Sequence, residues 1–143
     1  MVRHSNAVTW YEKSAEQGNL NAEFMLAALS EYGIGQPKDD KVALKWYRLA
    51  AEQGHAASQQ RLGDYYALGS PSLPRDPAEA VKWYTKSADQ GNMNAQASLG
   101  EVYSSGDGVS QDFVEAIKWY RLAAAQGSVE AQRELGRRNK LGD

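Results

Sequence analysis

Apolar, small and polar positions recur in one frame four times along this 143-residue chain. The frame is anchored by the pair Trp-Tyr, at Trp10-Tyr11, Trp46-Tyr47, Trp83-Tyr84 and Trp119-Tyr120, at intervals of 36, 37 and 36 residues. Three positions before each Trp stands alanine (Ala7, Ala43, Ala80, Ala116), and five after it another (Ala15, Ala51, Ala88, Ala124). Seven after is glutamine (Gln17, Gln53, Gln90, Gln126), and eight after is glycine (Gly18, Gly54, Gly91, Gly127). Leu26, Leu62, Leu99 and Leu135 lie sixteen after, and Gly33, Gly69, Gly106 and Gly142 twenty-three after. A fixed period of this length marks an array of one small unit, stacked so that neighbours bury each other's apolar sides.

Each unit reads as two helices. The first, as in Val42 to Gln53, is rich in helix formers and stops at the glycine eight after Trp, which can take the left-handed conformation that ends a helix. The next residue, Asn19, His55, Asn92 or Ser128, starts the second helix. Asn and Ser are good N-caps, His a weaker choice. A connection of about two residues makes the pair antiparallel neighbours. Seven before Trp stand Asp39, Asp76 and Asp112, which cap the first helices. Glu79 and Glu115, three later, complete capping-box patterns, and Pro77 fits a first helical turn. The first unit has Arg3 in that place, so either Ser5 caps a shortened helix or the natural chain extends upstream.

Gly63, Gly100 and Gly136 fall inside the second helices, where glycine costs about 1 kcal/mol against alanine. Their shared frame predicts close approach of a neighbouring helix. The last helix replaces apolar contacts with Arg137, Arg138, Asn139 and Lys140, the composition of a solenoid's terminal cap. The units run at about 1–38, 39–75, 76–111 and 112–143 within a single domain.

Bulk properties narrow the chemistry. The net charge is −2 with acids and bases mixed, so no basic excess suggests nucleic-acid binding. With no cysteine, disulfides and thiolate metal sites are excluded. No apolar run reaches the roughly 18 residues of a membrane span. The N-terminal stretch lacks the apolar core of a signal peptide, which leaves the compartment open.

The run Trp46-Tyr-Arg-Leu-Ala-Ala-Glu-Gln-Gly54, followed by Ala57-Ser-Gln and Leu62-Gly63, resembles the Sel-one-like repeat (SLR), a relative of the tetratricopeptide repeat. The third unit, Trp83 to Asn92 with Ala95-Gln, Leu99-Gly100 and Tyr103, and the loop Gly106-Asp-Gly-Val-Ser-Gln-Asp112 resemble it too. The likeness covers nearly the whole chain. The period exceeds the 34 residues of the tetratricopeptide repeat itself. The resemblance implies an all-α fold, a right-handed superhelix of about four hairpins. It also implies a protein-interaction adaptor, most often bacterial, with first helices lining the concave face.

No catalytic constellation emerges. Gly-x-Ser-x-Gly, His-Glu-x-x-His and Ser-x-x-Lys are all absent. His4 and His55 lie apart in the sequence and read as surface residues, and the recurring aspartates read as caps. We therefore expect no enzyme activity, cofactor or metal. Asp64 and Glu101, at matching places on second helices, are expected to face water. The partner is expected to be a protein or peptide, with no nucleic acid and no membrane insertion. Two surfaces are candidates. Lys45, Arg48, Lys82, Thr85, Lys118 and Arg121 share first-helix positions and would form a largely basic ladder suited to an acidic or carboxylate-terminated peptide. Phe24 and Met25 place apolar side chains where other units carry polar ones, a patch suited to self-association unless residues 1–6 or a missing upstream segment cover it. The competing reading is an enzyme or small-ligand receptor, related to the cell wall by family analogy, that uses the inner groove.

Overall fold

The computed structural model describes residues 6–140, with side chains described through Arg138. Among the described residues eight helices follow one another: α1 (Asn6–Glu16), α2 (Leu20–Tyr32), α3 (Asp40–Glu52), α4 (Ala56–Leu68), α5 (Pro77–Asp89), α6 (Met93–Ser105), α7 (Phe113–Ala125) and α8 (Val129–Lys140). Among the described residues the only extended pairing is an isolated bridge, Ser70 with Leu73, in the proline-rich loop. Ser5 and Gly142 lie outside the described residues.

Local chemistry accounts for the hairpins. At the end of α3 the Gly54 N–H donates to Ala51 O (3.0 Å) and the His55 N–H to Ala50 O (3.1 Å). Gly54 has φ +94°, and Gly18, Gly91 and Gly127 take φ +84°, +93° and +100°. This is the left-handed helix stop, which disfavours a β-carbon. Asn19 and Asn92 then cap α2 and α6 by accepting the N–H of Ala22 and Ala95, each at 3.0 Å. His55 does the same for α4: its Nδ1 accepts from the Ser58 N–H at 3.2 Å. An imidazole thus fills the role of an Asn side chain, more effectively than the usual N-cap ranking suggests.

The capping boxes are only half formed. Asp76 and Asp112 accept from the N–H of Glu79 (3.2 Å) and Glu115 (3.0 Å). Their own N–H groups donate instead to Tyr66 O (2.7 Å) and Tyr103 O (2.8 Å) of the preceding unit. The glutamates are therefore released to pair with Lys82 (3.6 Å) and Lys118 (3.5 Å).

Packing is sequential, each second helix lying against the first helix of the next unit. Trp83 is buried among Ala43, Leu44 and Leu62, and Trp119 among Ala80, Val81 and Leu99. Each indole therefore seals its unit onto the one before. At about 25 cal/mol per Å² and roughly 200 Å² per indole, this contributes at most about 5 kcal/mol per interface. Trp46 is half-buried against Leu26 and Leu29. Trp10 is 62% exposed, with no earlier unit beneath it among the described residues.

The tyrosine after each tryptophan explains the mid-helix glycines. A β-carbon on Gly63 would stand 2.7 Å from the Tyr84 ring, and one on Gly100 would stand 2.6 Å from the Tyr120 ring. In the first interface Ala27 occupies this frame position and clusters with Tyr47.

A glutamine ladder adds a polar seam. Gln90 Nε2 donates to Gln59 Oε1 (2.8 Å) and Gly54 O (3.0 Å), and Gln126 Nε2 to Gln96 Oε1 and Gly91 O (both 2.8 Å). Gln59 is itself buried and donates to Ala51 O at 3.1 Å. Buried amides need such partners. In the first interface Glu23 stands in the Gln59 position and accepts from Gln53 Nε2 at 3.2 Å.

Candidate functional site

Three depressions follow one another along the second helices. The first, about 330 Å³, lies between α2 and α4 and is lined by Glu31, Tyr32, Asp40, Arg61, Asp64 and Leu68. The second, about 360 Å³, shares Asp64 and Leu68 with it and adds Arg75, Tyr84, Glu101, Ser105 and Asp107. The third, about 330 Å³, shares Glu101 and Ser105 with the second and continues to Tyr120, Glu130 and Glu134. Together they form a groove crossing successive units at equivalent places. Its carboxylates are Glu31, Asp40, Asp64, Glu101, Asp107, Glu130 and Glu134, against the cations Lys38, Arg61 and Arg75.

The two ends of this groove differ electrostatically. At the first-unit end, Arg61 pairs with Glu31 and with Asp64 (3.1 Å), and Glu31 also accepts from Tyr47 Oη at 2.8 Å. Asp64 accepts from Tyr84 Oη at 2.6 Å. Asp64 therefore does not simply face water: it ties the third unit's tyrosine to the second unit. Glu101 is exposed, as expected, but its carboxyl is pushed up, first by desolvation and then by the like charges of Glu130, Glu134 and Asp107. The nearby Tyr120 hydroxyl rises to about 12, through burial and then the charges of Glu134, Glu101 and Glu130. Arg75 bridges to Asp107 across the loops.

The first-helix cations occupy equivalent frame positions, and several of them already have partners. Lys45, Lys82, Lys118 and Arg121 are exposed. Lys82 and Lys118 pair within their own helices, and the Lys45 and Lys118 ammonium groups each lie 5.2 Å from the ring centroid of the adjacent tryptophan. Arg48 is half-buried and donates to Tyr66 Oη at 2.9 Å. The Thr85 hydroxyl donates to Val81 O at 2.7 Å, along its own helix. A depression of about 380 Å³ does lie on the first-helix side, where Glu12, Glu16 and Asp39 surround Trp46.

Phe24 and Met25 are half-buried. The Phe24 ring lies 5.7 Å from Tyr47 and 5.3 Å from His55, centroid to centroid. The second unit thus takes up part of the apolar patch. His55 completes this junction, with Nε2 3.0 Å from Asn21 Oδ1 and Nδ1 2.7 Å from Ser58 Oγ. A neutral ring with its proton on Nε2 satisfies all three contacts, and burial lowers the His55 pKa. Among the described residues no cluster of three or more His, Cys, Asp or Glu could hold a metal ion, and no helix is long and apolar enough to cross a membrane.

A family model described as Sel1 repeat matches residues 4–19, 20–55, 56–92 and 94–128, most of the chain. The chain belongs to the Sel1 repeat family. Proteins built on Sel1 repeats are generally protein-interaction scaffolds. Among solved structures, the chain is 40% identical to c5321, a protective antigen of uropathogenic Escherichia coli strains displaying an SLR fold, with TM-score 0.90 over 94% of this chain and 28% of that one. It is 38% identical to a Sel1 repeat protein from Oxalobacter formigenes, with TM-score 0.85 over 91% of this chain and 53% of that one. Cysteine rich protein B of Helicobacter pylori, 23% identical with TM-score 0.68 over 87% and 89%, shares the fold. Among curated proteins, the human Protein sel-1 homolog 2 is 38% identical over 63 residues, 44% of this chain and 9% of that protein. The chitin synthase regulator SKT5 of Malassezia restricta is 38% identical over 58 residues, 41% of this chain and 4% of that protein. This chain therefore spans only a small part of those curated proteins. The similarity to solved SLR structures makes the array the expected right-handed superhelix of hairpins.

Within the Sel1 array the second-helix groove was not singled out from sequence. Its signal was present in Asp64 and Glu101, one frame apart, with Glu130 and Glu134 on the last helix. Only the path of the second helices shows that these carboxylates line one continuous feature.

Proposed function

We propose that this Sel1 repeat chain is a non-catalytic scaffold that holds an extended, Lys- or Arg-bearing segment of a partner protein in the groove along its second helices. One observation carries the reading. The groove ends in Glu101, Glu130 and Glu134: desolvation, and then the like charges of Glu130, Glu134 and Asp107, raise the Glu101 pKa, and although Glu134 is paired with Arg137 at 2.8 Å, a cation placed beside Glu101 and Glu130 would relieve the remaining repulsion. Aromatic and aliphatic walls from Tyr32, Tyr84 and Leu68 supply apolar contact beside the charges. Among the described residues no histidine or cysteine lines these depressions, and we read them as a binding surface. The first-helix face offers a second reading, an acidic partner, because Lys45, Lys82, Lys118 and Arg121 remain exposed.

Titration of the full chain with labelled Lys/Arg-rich and Asp/Glu-rich peptides separates the two. The expected result is salt-sensitive binding of the basic peptides that weakens roughly tenfold or more in Glu101→Gln/Glu130→Gln/Glu134→Gln. Arg48→Glu/Lys82→Glu/Arg121→Glu should leave that binding intact. Preference for acidic peptides, abolished by the second set and not the first, overturns the groove reading.

A further inference from the structure

The second-helix groove changes character along its length. Tyr32, Leu68 and Ser105 hold one frame position, just ahead of Gly33, Gly69 and Gly106 at the ends of α2, α4 and α6. Tyr32 is 62% exposed and Leu68 81% exposed, and both line the first depression. Their polar counterpart Ser105 lines the second and third. The residue after each glycine follows the same trend: Ile34, which is exposed, then Ser70, then Asp107. Two large apolar side chains thus face one depression from successive units, which marks an interface in a way that scattered exposed residues do not.

Charge runs along the opposite gradient. In the first depression the Arg61 guanidinium is held by Glu31 and by Asp64 (3.1 Å), and Lys38 adds a second cation. Glu31 also accepts from Tyr47 Oη (2.8 Å), and Asp64 from Tyr84 Oη (2.6 Å). The remaining carboxylate, Asp40, keeps its Oδ2 buried. A cation entering here would meet Arg61 and Lys38 and find Glu31 and Asp64 already engaged. At the far end Asp107 is taken by Arg75 and Glu134 by Arg137, while Glu101 and Glu130 make no salt bridge among the described residues.

We propose that the groove selects a bipartite segment of the partner: a leucine or aromatic side chain seated between Tyr32 and Leu68, and a basic side chain at Glu101 and Glu130. This rests on the groove reading above and assigns which end takes which residue. Tyr32 and Leu68 supply the apolar contact, and Arg61 and Lys38 turn a cation away from that end, so attraction and repulsion act together. The two places lie about two helix diameters apart, on the order of 20 Å, which an extended chain covers in about six residues.

Fluorescence anisotropy of labelled synthetic peptides with the full chain tests the assignment. Each peptide carries a lysine pair, a Gly/Ser spacer of about six residues and one variable position holding Leu, Phe, Ser or Lys. The Leu and Phe peptides should bind roughly tenfold tighter than the Ser peptide, and Lys should gain less than Leu. Leu placed directly beside the lysine pair should forfeit the gain. In Tyr32→Ser/Leu68→Ser, which copies Ser105 of the third unit, the ratio of Leu-peptide to Ser-peptide affinity should fall close to one. Both side chains are exposed, so circular dichroism should show the variant folded. Salt-sensitive binding of the Ser peptide with no gain from Leu or Phe would overturn the assignment and leave the groove reading standing. So would a gain that ignores spacing or survives Tyr32→Ser/Leu68→Ser, or a Lys peptide that binds tightest. Failure of every lysine-bearing peptide to bind would sink both.

Discussion

Alanine substituted at Gly63 and at Gly136 should change stability in opposite directions, although both sites share one repeat frame. In an exposed helix interior, glycine to alanine stabilises by about 1 kcal/mol. At Gly136 the added methyl meets nothing within 4 Å, so a gain of up to about 1 kcal/mol is expected. At Gly63 the methyl would stand 2.7 Å from Cδ1 and Cε1 of Tyr84, which is buried. The ring must move outward, at an overpacking cost of about 1–3 kcal/mol. That displacement also loosens the 2.6 Å hydrogen bond from Tyr84 Oη to Asp64, a bond to a charged group worth about 1.5–3 kcal/mol. After the helix-propensity gain is subtracted, Gly63→Ala should destabilise by about 1–3 kcal/mol. At about 2.1 cal/mol/K per residue, a 143-residue chain loses about 3 °C of Tm per kcal/mol. Tm should therefore fall by about 3–9 °C for Gly63→Ala and rise by about 1–3 °C for Gly136→Ala. Thermal and urea unfolding followed by circular dichroism at low micromolar concentration would measure both, with tryptophan fluorescence checking that the two probes coincide. A stabilised Gly63→Ala protein would refute the argument that the tyrosine ring demands glycine.

The His55 cap should make the first interface sensitive to acid. Its neutral ring accepts from Ser58 N–H, and its folded pKa lies below the ordinary histidine value of about 6.5. Its stabilisation is therefore complete above about pH 6.5 and is lost as pH falls from there through the folded pKa. His55→Asn keeps an N-cap and should flatten that part of the pH–stability profile, as urea midpoints between pH 5 and 7.5 would show; an unchanged slope would argue against it. Glu23→Gln supplies the residue found at the matching positions Gln59, Gln96 and Gln132. Burial raises the Glu23 pKa, so its contribution is most favourable below about pH 4.5 and is lost as pH rises through the folded value. The variant should be more stable than the parent at pH 7 by about 1 kcal/mol and show no excess near pH 4, and equal midpoints at pH 7 would contradict this.

The chain's local features were legible because their causes lie within a few residues. A glycine eight after Trp must take positive φ to end one helix, and the Asn, Ser or His that follows caps the next, so the hairpins can be read by eye. Repetition did the rest, since four copies of one unit leave stacking as the way to bury Trp and Leu. What each repeated residue touches was decided between units. The capping-box glutamates turned away because the aspartate N–H groups found carbonyls in the preceding unit. Asp64 left the water because the next unit brought Tyr84 to it. Gln90 and Gln126 became a ladder because each meets a buried amide about thirty residues earlier, and Gln53 meets the buried Glu23 carboxylate at the matching place. The cations of the first helices looked like a ladder by spacing, yet Glu79, Glu115 and Tyr66 already engage several of them. The acidic groove exists only because the second helices lie side by side. Dihedral preferences and hydrogen bonds over a few residues act along the chain, whereas charge pairing, burial and grooves depend on which faces meet, and that is fixed by tertiary packing.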